Sequence, residues 1–438
     1  MEAFKIKNGL SARRYLGSTT TLSGSTIDLS LGSMFSTTLS SDPAYTFTNP
    51  PASGNAQAFS VEVTGGTTTF TQDSFATTLY TGTSATQTIT NGLDLSGDGG
   101  LVWAKSRSNT RNHILSDTER GTGKVLFSNL TNAEDADATT ITSYNSDGFT
   151  MGSSTLKMNT SGEDFVAWTF KKQAKFFDVV TYTGNGANRT IAHNLGSVPG
   201  CIIVKSTAGR ADSWIVYHGS RGATEYAKLD TTDSFYTGPA AATTWNTTEP
   251  TSTEFTVGTD GGVNQSGATY VAYLFAHDTA SDSRIKCGSY TGGGSSDVEV
   301  NLGWKPQWLL VRRSDAAEDW FVLDTARGLG SDGDRNAILE PNLSDAETSS
   351  STRVAVTDTG FFTTANTGSF NASGGTYIYI AIRASTATDS AITWPSSVKW
   401  PAGVAPTTPA PGTKDLFTFL TTDGGTTYYG KKAAEGLA

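Results

Sequence analysis

A chain of 438 residues exceeds the size at which one hydrophobic core stops growing, so several domains are expected. Only 36% of it is hydrophobic and 16% charged, but 9 Trp, 15 Tyr and 21 Phe exclude a disordered chain and point to short, half-buried strands. A net charge of −10 excludes the basic footprint of a nucleic-acid binder, and no apolar run has the length of a membrane span or secretory leader.

Residues 1–20 are locally basic on an acidic protein: Lys5, Lys7, Arg13 and Arg14 stand against Glu2 alone. That contrast predicts a docking segment that inserts into an acidic neighbour. Between 21 and 66, the alternating runs YTFT at Tyr45 and FSVEV at Phe59 predict strands separated by the turn NPPASG. This piece has few apolar side chains for a core of its own, and it breaks off at Gly65-Gly66.

From 67 to 388 four landmarks recur in the same order three times, at a spacing of about 100 residues. A Tyr-Thr-Gly turn stands at Tyr80, Tyr182 and Tyr290. An apolar run ending in a cation follows, LVWAKSR from Leu101, CIIVKST from Cys201 and WLLVRRS from Trp308. Next come strands closing on Arg-Gly, at Arg120, Arg221 and Arg327. The last landmark is a small-residue turn before an aromatic run: GEDFVAWTF, GATYVAYLF and GGTYIYIAI. Those runs are apolar at consecutive positions, which suits strands buried on both faces. The repeat length fits an autonomous two-sheet sandwich, and the predicted domains are 67–175, 176–280 and 281–388.

Beyond them, 389–438 contains AITW at Ala391, DLFTFLTTDGG at Asp415 and TYYGKK at Thr427. The two end pieces, 21–66 and 389–438, are expected to form one discontinuous base domain with the repeats inserted into a hairpin. FSVEV and AITW are then expected to be neighbouring strands. The predicted fold is all-β, with tandem, jelly-roll-like β-sandwich domains inserted into a small discontinuous β base.

The end segments AFKIKNGLSARRYL, TIDLSLGSMFSTTL, TNPPASG and ITWPSSVKWPAG…DLFTFLTTDGGTTYYG resemble a module of virion proteins from marine tailed phages. The inserted part, with DLSGDGGLVWAKSRS, HNLGSVPGCIIVKS and NASGGTYIYIAIR, resembles the repeat of phage tail-fibre-like and other virion structural proteins. The resemblance covers essentially the whole chain. It implies a virion structural protein made in the host cytoplasm, either a tail-associated, receptor-binding fibre or a head decoration or head-fibre protein. The partners it implies are other virion proteins of tail or capsid, further copies of the chain (a homotrimer by analogy with fibres) and a host-surface glycan or protein. It carries over no catalytic residue, metal or cofactor, and the chain is read as a non-enzyme.

His113, His193, His218 and His277 form no metal-binding spacing. Cys201 and Cys287 are expected as buried free thiols, in keeping with folding in a reducing compartment. Glycan hydrolysis needs two carboxyls about 5–10 Å apart, for which Asp117 with Glu119 and Glu318 with Asp319 are candidates. Solvated strand ends are the plainer reading of both, leaving a glycan depolymerase as the least favoured function. Arg120, Arg221 and Arg327 either tie strand ends to neighbouring carboxylates or line three equivalent anion or glycan sites. Trp103, Trp214, Trp308 and Trp320 are expected in the core, and Trp394 and Trp400 are expected to pack the base.

Overall fold

A computed structural model describes residues 20–22, 26–31, 33–38, 45–52, 55–64, 67–69, 73–153, 157–280, 283–330, 336–350, 353–365, 367–384, 387–389, 392, 394–406 and 414–437. The docking segment with Lys5, Lys7, Arg13 and Arg14 lies outside them. The chain divides into two compact units, residues 1–69 with 386–438, and residues 70–385. Strands dominate both, and helix among the described residues is limited to single turns such as Gly261–Asn264 and Gly368–Asn371.

The first unit is built on a six-stranded sheet whose central strand, Gln57–Thr64, lies parallel to Met34–Thr38 and antiparallel to Lys414–Thr421. Alternation decides its core: Phe59, Val61 and Val63 turn inward beside Phe417 and Phe419, and the residues between them face outward. This corrects the expected pairing of FSVEV with AITW. Both edges of Gln57–Thr64 are taken by other strands, and the partner from the second half of the chain is DLFTFL. Ala391 and Thr393 of AITW lie outside the described residues; Trp394, directly before Pro395, caps the core, stacking on Tyr45 at 5.4 Å and tilting against Phe419 at 5.1 Å. Trp400 joins it at 5.8 Å. Thr67–Thr69 pairs with Ala387–Asp389, so the chain leaves this unit and returns to it through one antiparallel stem.

In the second unit one arrangement occurs three times. Each copy has a large sheet of four shared strands and a smaller sheet. The large sheets run Phe75–Thr81, Asp164–Lys171, Gly100–Ser106, Ile114–Asp117 in the first copy and Phe177–Thr183, Thr269–Ala276, Pro199–Ala208, Ile215–His218 in the second. In the third they run Ile285–Thr291, Thr376–Arg383, Pro306–Arg313, Trp320–Asp324. The Tyr-Thr-Gly landmark is explained by a turn from the other end of each copy. Tyr80, Tyr182 and Tyr290 donate to the carbonyls of Met158, Val263 and Phe370 at 2.8, 2.7 and 2.8 Å. The residues after those carbonyls, Asn159, Asn264 and Asn371, are buried and bind backbone on both sides of the turn. The glycine is required by close approach: a Cβ at Gly82, Gly184 or Gly292 would lie 2.1–2.2 Å from a carbonyl oxygen.

The doubly buried strands also have a cause. In Gly100–Ser106, Val102 and Ala104 face the copy's own sandwich with Ile89 and Phe149, while Leu101 and Trp103 join a core shared by all three copies. In Pro306–Arg313, Leu309 and Val311 face inward and Trp308 and Leu310 join the shared core. Ile378, Ile380 and Ile382 do likewise, alternating with Tyr377, Tyr379 and Ala381. Period-2 side chains thus serve two cores at once, each fully buried Leu, Ile or Val contributing roughly 1.5–3 kcal/mol. The sandwiches are closed into a ring around that shared core.

Candidate functional site

Three junctions close the ring, and equivalent residues build each one. The main chain repeats a bond: Glu134 N–H donates to the Thr207 carbonyl (2.9 Å), Phe235 N–H to Ser314 (3.1 Å) and Glu347 N–H to Arg107 (2.8 Å). The first joins copies one and two, the second joins two and three, and the third joins three back to one. Indole donors do the same, Trp214 to the Phe127 carbonyl and Trp320 to the Lys228 carbonyl, both at 2.9 Å. In the shared core Trp308 lies 5.6 Å from Phe170, which lies 5.5 Å from Phe275.

The recurring arginines sit beside these junctions. Arg120 and Arg327 are buried, and each turns back on an aspartate three residues earlier, Asp117 and Asp324, at 2.6 Å. Each also reaches a glutamate of the same copy, Glu134 at 3.1 Å and Glu347 at 3.2 Å. A neighbouring copy completes both sites: the Tyr273 hydroxyl donates to Asp117 at 2.8 Å, and the Trp168 indole to Asp324 at 2.9 Å. A buried guanidinium with fully engaged carboxylates is a structural tie, with no free fork for an external anion. The second copy departs from the pattern. His218 replaces the aspartate, Phe235 replaces the glutamate, and Arg221 instead pairs with Glu225 at 2.6 Å and lies 5.5 Å over the Phe235 ring. His218 is buried against the Tyr379 carbonyl of the third copy (3.2 Å), and burial pushes its imidazole down to about 4.

The cation ending each apolar run has a role that the repeat alone does not assign. Lys105, Lys205 and Arg312 are wholly buried at the junctions. Lys205 donates to the Thr131 carbonyl of the first copy at 3.2 Å, and Arg312 to the Lys228 carbonyl of the second at 2.8 Å. Desolvation pushes the two lysines down to about 8 and Arg312 to about 10. Its signal was its repetition, a charged residue at one register of an otherwise apolar strand.

Of the candidate carboxylates, Asp117, Glu119 and Asp319 are held by separate partners. Asp117 is committed to Arg120, whereas Glu119 pairs with Lys172 at 2.5 Å. Asp319 accepts from Asn342 at 2.6 Å, while the Glu318 main chain bonds to Thr232. Cys201 and Cys287 are free and buried, and burial pushes both thiols up. Among the described residues no group of three His, Cys, Asp or Glu is placed to hold a metal ion.

No curated protein matches this sequence. Residues 71–385, the span of the ring, match the family model described as Domain of unknown function (DUF7483). The chain therefore belongs to that family.

Proposed function

We propose that this chain is a structural protein of a tailed-phage particle, tail-associated and host-facing, with the three-sandwich ring as its displayed part and the split unit with residues 1–20 as its attachment. The observation that supports it best is the closed ring itself. Three sandwiches share one core, and their polar residues are spent on holding neighbours together. A block of this kind presents fixed surfaces without a moving part, as attachment requires. Its insertion through one short antiparallel stem leaves the sheet of the carrier unit intact. The motif resemblance to phage virion proteins supplies the particle, and the engagement of the candidate carboxylates speaks against the depolymerase reading.

The test is immunogold labelling of purified particles with an antibody to the ring, combined with mass-spectrometric copy number. Label on the tail at low copy is the expected result. Label over the head at hundreds of copies would replace the proposal with capsid decoration, and absence from particles would overturn both. Deleting residues 1–16 is expected to abolish incorporation, and normal incorporation would refute the docking role.

A further inference from the structure

The ring provides internal comparisons, because each junction has two counterparts. Between copies one and two, the space beside the strand Gly100–Ser106 is filled. Lys172 crosses it to Glu119 (2.5 Å) and to Asp178 of the second copy (3.5 Å). Thr118 and the Lys172 stem close over Gly99, where an added Cβ would lie 2.8 Å from Thr118 Oγ1 and 3.2 Å from Lys172 Cδ. Between copies three and one, Gln307 occupies the register of Gly200 and turns its amide onto the Arg383 carbonyl at 2.8 Å.

Between copies two and three the fillers are missing. His277 stands for Lys172, Ser220 for Glu119 and Gly219 for Thr118, and a cavity of 370 Å³ opens there. Gly200, Tyr217 and Cys287 form a buried floor; Val198, Ser220 and His277 form an exposed mouth. Gly200 is needed for the floor to close, since a Cβ would meet Cys287 Cβ at 2.5 Å and His277 Cβ at 2.7 Å.

We propose that this cleft binds a neutral sugar residue, such as the terminal hexose of a surface glycan, an inference that rests on the host-facing reading above. Its size suits one or two sugar rings, at the lower end of the roughly 300–1,000 Å³ of small-molecule sites. No Lys, Arg, Asp or Glu lines it, so the ligand is selected neither as an anion nor as a cation. An apolar and aromatic floor suits the C–H face of a pyranose, and the Ser220 hydroxyl, the His277 imidazole and glycine main chain at the mouth suit its hydroxyls. The replacement of an ion pair by His and Ser is what separates this junction from its filled counterpart.

The experiment uses the full chain with glucose, galactose, mannose and N-acetylglucosamine, read by saturation-transfer NMR and calorimetric titration. At least one sugar is expected to bind. The double substitution Ser220→Glu with His277→Lys, which transplants the Glu119–Lys172 pair, is expected to weaken it by at least ~10-fold with an unchanged melting temperature. His277→Ala, at an exposed position, gives a second reading should the transplanted pair disturb folding, with at least ~3-fold weakening expected. Absence of binding by all four sugars, or unaltered affinity in a folded variant, overturns the proposal. Particle localisation plays no part in this test, so the two readings fail separately.

Discussion

The junction between copies two and three differs from the other two in chemistry while keeping their main-chain docking. At Asp117 and Asp324 a buried arginine is neutralised by two carboxylates and joined by a hydroxyl or indole from the next copy. At His218 the carboxylates have gone, a neutral imidazole meets a carbonyl, and Arg221 has moved out over Phe235. The main-chain bond beside it survives at 3.1 Å, against 2.9 and 2.8 Å elsewhere. A junction therefore holds without the arginine–carboxylate network, and that network is one of two ways to satisfy the polar groups left there. A buried ion pair costs desolvation that its partners must offset, and a neutral replacement of matching shape is often equally stable.

The largest effect that would break this comparison is Asp324→Ala. It removes the nearer of the two carboxylates on Arg327, whose side chain is fully buried, and leaves the Trp168 indole without its acceptor, at an expected cost of about 3–5 kcal/mol in denaturant unfolding. A loss below about 1 kcal/mol would mean that the network contributes little. Next is acid. The folded His218 imidazole is pushed down to about 4 from 6.5, so its contribution is complete above pH 6.5 and is lost as pH falls from 6.5 to 4. The loss amounts to about 3 kcal/mol, and a His218→Gln variant is expected to lack that part of the pH dependence. If the two unfold in parallel across that range, the imidazole is not buried as described.

Lys105 and Lys205 sharpen the comparison from the alkaline side. Their folded values near 8 lie below the ordinary 10.5, so the unfolded chain binds more protons between those pH values and stability rises as pH climbs from 8 to 10.5. The slope is expected to fall in Lys205→Met, as measured by urea unfolding at pH 8 and pH 10. The smallest effect belongs to Glu225→Ala, which removes the carboxylate partner of the partly exposed Arg221. A loss within about 1 kcal/mol is expected, and a larger one would show that the second copy depends on an ion pair as its neighbours do.

Much of this was legible in the amino-acid order. Four landmarks at a fixed spacing mark the three copies, and consecutive apolar residues flanked by glycine mark strands buried on both faces. The Arg-Gly doublets point to strand ends tied to carboxylates, which is what Arg120 and Arg327 do. What filled the second face was not legible. Trp168 meets Asp324 across 156 positions, and Arg107 pairs with Glu347 across 240, at 2.7 Å. No local propensity encodes such pairings. The pairing of FSVEV was misjudged for the same reason, because DLFTFL and AITW alternate alike and only the filling of one core chooses between them.

The sequence by itself determined the strands, the repeat and the alternation that gives each strand two apolar faces. These depend on backbone sterics and on a side-chain period of two, and both act within a few residues. The tertiary structure decided that the copies close on one another, that Lys105, Lys205 and Arg312 are buried, and that one junction of three stands open. These follow from which distant surfaces meet, and burial, desolvation and cavity volume exist only once they have met.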